Sequence, residues 1–135
     1  MDSGGRQLLR DTQNYWKQLQ ENPDKTKIVF STFDDEIYRA FRADFPMYDI
    51  ADLRKNPQTP EAFAAFCNKF RRRVVRWDSP AVLRVRSSGG YTDKNSSIVT
   101  RVVFFAIEIA RNREGANNAI QSLSSSTDSN ANLLP

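Results

Sequence analysis

Residues 98–115 read IVTRVVFFAIEIARNREG and form the longest mostly apolar run in the chain. At a helical 100° per residue, the apolar side chains of this run cover roughly 200°, about twice the stripe that a surface helix turns towards its core. The run therefore predicts a helix over 98–114 that is buried on more than one side. Gly115 follows it, at the position where a left-handed C-terminal cap usually lies.

The main alternative for the start of this run is a β-strand. Its β-branched and aromatic residues also suit a strand, and they would form a hairpin between 82–87 and 98–105. The apolar pattern continues without a break to Arg113, however, and a strand is rarely that long. The sequence therefore favours the helix.

Two further helices are predicted before residue 46. The first covers 7–21 and carries Leu8, Tyr15, Trp16 and Leu19 on one apolar face. The second begins near an acidic cluster, Asp34, Asp35 and Glu36, and Pro46 stops it. Three clustered acids can bind a metal, but acids in a first turn are also what the helix dipole favours. No further ligand cluster accompanies them, so no metal site is predicted.

A third helix is predicted over 60–77, with Thr59 as its N-cap and Pro60 at its first position. Cys67 lies on its apolar face, which indicates a core residue rather than a nucleophile. After it, 81–87 alternates, with Leu83 and Val85 on one side and Arg84 and Arg86 on the other, and predicts a short extended segment.

These elements predict a mainly α fold: a small irregular helical bundle with at most one short β-hairpin. Residues 1–120 form a single helical domain in this prediction, because the length supports one core. Residues 121–135 are rich in serine and asparagine and are predicted to be a disordered tail.

Composition argues against an enzyme. The chain has no histidine and one cysteine, which removes the usual general base, the commonest metal ligand and any internal disulfide. Its five glycines form no phosphate-binding loop, so no cofactor and no catalytic residue are predicted. No apolar run reaches the ~18 residues of a membrane span and no signal peptide is visible. We expect a cytoplasmic protein that does not bind membranes.

The segment FFAIEIARNREG at 104–115 resembles the hallmark of a small eukaryotic cytosolic family, the polysaccharide biosynthesis domain-containing protein 1 family. Three weaker stretches agree in order and approximate spacing, at 34–42, 66–70 and 90–92, so the resemblance spans roughly 8–120. Ala116 departs from it, since an aromatic residue is expected there. The tail also differs, because relatives tend to carry a long acidic one.

The resemblance implies a function in protein folding. Members of the family are implicated as dedicated chaperones of translation elongation factor 1-alpha, and the implied partner is the newly made GTPase domain of that factor. The chain is expected to act as a monomer. The family name also attaches to plant cell-wall methyltransferases, but this sequence has no methyl-donor site.

The residues themselves indicate where a partner could bind. Phe104 is the candidate anchor, surrounded by charged side chains as at the centre of an interface. The candidate partner-binding residues are Arg101, Phe104, Glu108, Arg111, Asn112, Arg113 and Glu114. The structural alternative is that Glu108 is buried and paired with Arg111 or Arg101, and that Phe104 packs against another helix.

A basic segment supports the runner-up function, a nucleic-acid or ribosome-associated binding module. It carries seven cations against the single acid Asp78, a local net charge of +6 where the whole chain has +4. The seven are Lys69, Arg71, Arg72, Arg73, Arg76, Arg84 and Arg86. Such a surface attracts nucleic acid or an acidic protein. The structural alternative is the solvated face of a helix.

Overall fold

The computed structural model describes residues 3–57 and 60–121, and the side chains from residue 4 onward. It confirms a mainly α fold with one small hairpin. Its helices are α1 (Ser3–Glu21), α2 (Asp34–Asp44), α3 (Pro60–Asn68) and α4 (Arg101–Glu114), and its strands are β1 (Pro80–Arg84) and β2 (Ser96–Thr100). Short 3-10 turns cover Lys25–Lys27, Leu53–Lys55 and Asp93–Asn95. The predicted N-cap Thr59 and, apart from Gln121, the predicted tail at 121–135 lie outside the described residues.

The predicted start of the central helix was wrong. Residues 98–100 belong to β2, which pairs antiparallel with β1 so that Pro80 faces Thr100 and Arg84 faces Ser96. Isoleucine, valine and threonine at these positions favour a strand once a partner strand is present. Helix α4 begins at Arg101. The first three residues of the run therefore lie in a hairpin, as the alternative prediction proposed for the start of this run.

The third helix is also shorter than predicted, since α3 ends at Asn68. The chain continues through irregular turns, and Arg76 adopts the left-handed conformation with φ of 53°. Arg72 and Arg76 are four residues apart, and like charges at that spacing destabilise a helix. The apolar residues Phe70 and Val74 are buried all the same.

Two apolar clusters make up the core. The larger one joins α2, α3 and α4, with Phe41, Phe66 and Phe105 among its buried members. The smaller one covers the apolar face of α1, including Tyr15, Trp16, Leu19 and Ile120. Helix α4 contributes buried residues from Val102 to Asn112, which confirms that it is covered on more than one side.

The C-terminal ends of α4 and α1 are each capped by a single residue. Gly115 ends α4 in the left-handed conformation with φ of 90°, which confirms the predicted cap. The ammonium group of Lys25 donates hydrogen bonds of 2.6 Å to the carbonyl oxygens of Leu19 and Asn22. A lysine therefore satisfies carbonyl groups at the end of α1.

Candidate functional site

The carboxylate of Glu108 lies fully buried between two arginines. Arg84 Nη2 is 3.1 Å from Glu108 Oε1, and Arg111 Nη1 is 2.9 Å from Glu108 Oε2. The side chains of all three residues are 0% exposed. A buried charge without a partner costs several kcal/mol, so this triad must be kept intact for the fold to persist.

Three neutral side chains complete what we call the interior polar network. The hydroxyl of Tyr15 donates to Glu108 Oε1 at 2.7 Å, and Asn117 Nδ2 donates to the same oxygen at 2.9 Å. Asn117 Nδ2 also donates to Asn112 Oδ1 at 2.8 Å. The network consists of Tyr15, Arg84, Glu108, Arg111, Asn112 and Asn117, and it joins α1, β1, α4 and the turn after α4.

The remaining donors of the two arginines hold the backbone of neighbouring loops. Arg84 Nη1 donates to the carbonyl oxygen of Ser87 at 2.6 Å, and Arg111 Nε donates to that of Ile50 at 2.7 Å. Arg111 Nη2 further donates to the carbonyl oxygen of Arg84 at 2.8 Å. A guanidinium group has five donors in a fixed plane, which suits it to brace several segments at once.

Burial and charge act against each other on Glu108. Desolvation disfavours its charged form, but the positive charges of Arg84 and Arg111, with hydrogen bonds from Asn117 and Tyr15, outweigh that effect. The balance lowers the pKa of Glu108 to about 2. The carboxylate therefore stays ionised at neutral pH, as a counter-charge for the arginines.

The structure places several of the predicted site residues in the interior instead of at the surface. Glu108, Arg111 and Asn112 lie in the interior. Glu108 therefore forms a structural ion pair with Arg111, and its second partner is Arg84 instead of Arg101. The prediction that Arg84 belongs to the basic segment's surface was wrong, because its side chain is fully buried. Its guanidinium finds a carboxylate and carbonyl oxygens inside, and it is therefore not part of a basic surface.

Phe104 is half-buried beside a groove between α1 and the start of α4. Its ring meets Tyr15 edge to face at 5.3 Å and Phe30 at 5.8 Å. The groove has a volume of about 250 Å³. What we call the Phe104 groove is lined by Asp11, Asn14, Tyr15, Gln18, Ile28, Val29, Phe30, Arg101, Phe104 and Phe105. Neighbouring rings thus hold Phe104 in a fixed position at an open surface.

Arg101 gives the Phe104 groove its positive charge. Its guanidinium lies 4.9 Å from the Phe105 ring centroid, and the carboxylate of Asp11 is 4.0 Å away. Its side chain is 25% exposed. Burial and the nearby charge of Arg76 lower the pKa of Arg101, while the charge of Asp11 opposes them. The buried Nε of Arg101 has no hydrogen-bond partner among the described residues, so its charge is incompletely compensated.

The last two candidate residues of α4 connect it to α2. Arg113 forms an ion pair with Asp35 at 2.7 Å, and its guanidinium lies over the Tyr38 ring. Glu114 accepts hydrogen bonds from Arg42 at 2.6 and 2.8 Å and from the Tyr38 hydroxyl at 2.8 Å. Both side chains remain about one third exposed, so a partner can reach them.

The predicted basic segment is partly neutralised. Lys69 pairs with Asp44 at 2.7 Å, and Arg73 pairs with Glu36. The guanidinium of Arg71 lies over the Trp77 ring. Three further cations of the segment are exposed and make neither an ion pair nor a ring contact within residues 3–57 and 60–121, namely Arg72, Arg76 and Arg86. We call these three the exposed basic residues.

Sequence reasoning missed two members of the interior polar network. Tyr15 was assigned only to the apolar face of α1, although a buried tyrosine hydroxyl usually needs a partner. That requirement is a usable signal. Asn117 follows the Gly115 cap and carries no pattern that marks it as buried. Its partner Glu108 offered the only hint, since a carboxylate among isoleucines needs several donors.

Two general searches bear on function. None of the helices that the described residues form is long and apolar enough to cross a membrane. Within 3–57 and 60–121, no group of three or more histidine, cysteine, aspartate or glutamate side chains is placed to hold a metal ion. The three acids of α2 are instead used within the fold. Asp34, for example, accepts backbone hydrogen bonds from Phe30 and Ser31 at 2.8 and 2.9 Å.

Comparison with known proteins gives consistent matches. The family described as PBDC1 protein matches residues 6–122. Human Protein PBDC1 is 36% identical over 116 residues, covering 83% of this chain, and the Saccharomyces cerevisiae homolog is 31% identical over 120 residues, also covering 83%. The match covers 49% of the human protein and 82% of the yeast one, so the chain spans about half the length of its human relative.

A solved structure supports the same relationship. The solution NMR structure of a Saccharomyces cerevisiae protein superposes with a TM-score of 0.73 at 30% identity. The superposition covers 84% of this chain and 82% of that one. The overall fold is therefore shared with an experimentally determined structure.

Proposed function

The chain belongs to the PBDC1 family, and we propose that it is a non-enzymatic protein-binding domain, a cytosolic chaperone for newly made translation elongation factor 1-alpha. The family resemblance supplies that partner. The Phe104 groove is the single structural observation that supports a binding role. It presents an aromatic side chain, a valine that is 72% exposed and an incompletely compensated arginine on one open surface.

These features suit a protein interface. Aromatic and arginine side chains dominate binding energy when they sit in a preformed pocket. Tyr15 and Phe30 fix the ring of Phe104, so little conformational entropy is lost when a partner packs against it. The interior polar network lies behind the groove through Tyr15, and it keeps α1 and α4 at a constant separation.

Affinity capture from translating cytosol tests the proposal. The unmodified chain should recover elongation factor 1-alpha, identified by mass spectrometry. Phe104→Ala should abolish capture, since truncating an anchor costs about 2–4 kcal/mol of binding free energy. Phe63→Ala is the matched control, because Phe63 is also half-buried but stacks on Phe45 at 4.5 Å and does not line the Phe104 groove.

The outcomes separate the partner from the site. Recovery of no translation factor by the unmodified chain would end the chaperone proposal. Normal capture by Phe104→Ala would leave the partner standing and move the binding surface elsewhere. Equal loss of capture in Phe104→Ala and Phe63→Ala, accompanied by equal loss of stability, would assign the effect to folding.

A second candidate function is a nucleic-acid or ribosome-associated binding module. It is supported by the exposed basic residues Arg72, Arg76 and Arg86, which have no ion-pair partner in the described part of the chain. Phosphate contacts weaken steeply with salt, whereas an apolar anchor is much less sensitive. Absence of a mobility shift on RNA or DNA at about 50 mM salt would exclude this function.

A further inference from the structure

Unpartnered buried donors are concentrated at one place in the described part of the chain. Five buried side-chain atoms there lack a hydrogen-bond partner, and four of them lie together. The four are Trp16 Nε1, Gln20 Nε2, Arg84 Nε and the hydroxyl of Tyr91. All four can donate a hydrogen bond, but Arg84 and Tyr91 face each other, and only Trp16 and Gln20 line the adjoining cavity. Buried donors nearly always have an acceptor, so this concentration needs an explanation.

Aromatic contacts hold these residues together. The rings of Trp16 and Tyr91 meet edge to face at 5.6 Å. The guanidinium of Arg84 lies 5.6 Å from the Trp16 ring centroid and 5.8 Å from that of Tyr91. Gln20 is one helical turn beyond Trp16 on α1. The four donors thus form one cluster.

An open cavity of about 420 Å³ adjoins this cluster. Trp16 and Gln20 line it on the α1 side, and Ile120 lines it near the end of the described chain. Arg86 lies on the opposite side and is exposed, without an ion-pair partner in the described residues. No carboxylate is among the side chains of residues 3–57 and 60–121 that line the cavity. It therefore offers donors and a cation but no anionic acceptor.

The loop that forms the far wall is rigid. Asn95 Oδ1 accepts from the backbone N–H of Arg86 at 2.9 Å, while its Nδ2 donates to the carbonyl oxygens of Arg86 and Gly90 at 3.1 and 3.0 Å. A Cβ at position 89 would lie 2.8 Å from Asn95 Nδ2, so glycine is required there. The cavity is therefore preformed, which lowers the cost of binding.

Charge favours an anion in this cavity. The interior polar network holds Arg84 and Arg111 against the single carboxylate of Glu108, which leaves one positive charge in excess. Arg84 donates to the carbonyl oxygen of Gly89 at 3.2 Å, and Gly89 is part of the cavity wall. An anion beside that wall is attracted by the excess charge and by Arg86.

We propose that this cavity binds a carboxylate on an apolar stem, carried by an acidic side chain of a polypeptide or by a small carboxylic acid. Arg86 pairs with the carboxylate, and the N–H groups of Trp16 and Gln20 supply donors at the inner wall. Trp16 and Ile120 contact the stem. A phosphate fits less well, since a group of nearly two negative charges needs more than one exposed cation. The site is separate from the Phe104 groove and does not depend on the chaperone proposal.

Nuclear magnetic resonance of the full chain tests the site directly. The chain has two tryptophans, and Trp77 contacts Arg71 away from the cavity, so its indole N–H signal is an internal control. N-acetylglutamate N-methylamide is the probe, and the corresponding glutamine compound is its uncharged match. We expect a saturable shift of the Trp16 indole signal with the glutamate compound only. Trp77→Phe assigns the two signals.

Two charge-matched variants sharpen this test. Arg86→Gln should weaken binding by about tenfold, the effect of losing one charged hydrogen-bond partner. Arg72→Gln removes the same charge from outside the cavity and should change affinity by no more than about twofold. An absent Trp16 shift, which would mean a cavity that holds ordered water only, overturns the proposal. An equal response to the glutamine compound does so as well.

Competition distinguishes the two sources of the carboxylate. One competitor is a blocked peptide with one central glutamate between apolar residues, and the other is glutarate. If the natural ligand is a polypeptide, the peptide should bind about tenfold tighter, because its apolar residues add contacts in the cavity. Glutarate binding as tightly as the peptide assigns the site to a small acid. Inorganic phosphate that binds tighter than either overturns the carboxylate assignment.

Discussion

Two glutamates six residues apart on α4 have nearly the same partners and opposite surroundings. Each carboxylate accepts a hydrogen bond from a tyrosine hydroxyl and pairs with arginine. The partners are Tyr15, Arg84 and Arg111 for Glu108, and Tyr38 and Arg42 for Glu114. The side chains of Glu108 and Arg84 are 0% exposed, whereas those of Glu114 and Arg42 are 31% and 22% exposed.

The difference shows that burial, more than hydrogen-bond geometry, sets the energetic weight of an ion pair. Water can replace a lost partner at Glu114, so that pair contributes little. Water cannot reach Glu108, and a lost partner there leaves a bare charge in the interior. One section of α4 is thus fixed in place, while its last turn can exchange partners.

The largest effect is expected from Glu108→Gln. The substitution keeps the shape of the side chain but leaves Arg84 and Arg111 buried without a counter-charge. We expect a loss of about 3–5 kcal/mol in the free energy of unfolding, measured by urea denaturation. An unchanged midpoint with an unchanged slope would contradict the special weight given to the interior polar network.

Acid should reproduce part of that effect in the unmodified chain. The pKa of Glu108 is lowered from 4.5 to about 2, so its contribution is complete above about pH 4.5 and is lost as the pH falls towards 2. The loss should approach about 3 kcal/mol. Denaturation at several pH values in this window measures it. Glu108→Gln should lack this component, and an identical pH dependence of both chains would refute the assignment.

A smaller effect is expected at Gly115, whose positive φ turns the chain so that Asn117 enters the interior. Alanine in this left-handed conformation costs about 1–2 kcal/mol, and its Cβ would meet Asn118 Nδ2 at 3.3 Å. Thermal denaturation of Gly115→Ala should show that loss. Gly115→Asn should lose less, because asparagine tolerates this conformation. Equal stability of all three chains would show that the cap does not position Asn117.

The smallest effect is expected from Glu114→Gln. Removing the exposed partner of Arg42 should reduce stability by less than about 1 kcal/mol. Most of that difference should disappear in about 1 M salt, where exposed charges are screened over a few ångströms. Parallel urea denaturation of Glu108→Gln and Glu114→Gln completes the comparison. Equal losses in the two variants would mean that burial does not separate them.

The sequence predicted what local patterns determine. The body of α4 and its Gly115 cap follow from periodicity and from one backbone conformation, and both were found. The boundary at Thr100 was missed because β-branched residues suit both a strand and a helix start. Only pairing with β1, whose residues lie 12 to 20 positions before their partners in β2, decides between them.

The candidate site was predictable to a lesser extent. A carboxylate among isoleucines already required a partner, and Arg111 at the third position beyond it was identified. Arg84 was assigned to the basic surface because the alternating pattern shows only which residues share a strand face. It does not show that a distant carboxylate, Glu108, lies on the side to which Arg84 points. The hydrogen bond from Tyr15 to Glu108 spans 93 residues, and no local pattern encodes such a contact.

That span has a consequence for how the domain is made. Helix α1 leaves the ribosome first, yet Tyr15 finds its acceptor only when Glu108 has been synthesised, and Ile120 completes the cluster that covers α1. Until then the aromatic face of α1 is open to water and to other chains. Contacts between residues so far apart in the chain slow folding. The interior polar network therefore cannot be completed before synthesis has passed Asn117, and until then Tyr15 and Arg84 are without their carboxylate partner or its amide donor.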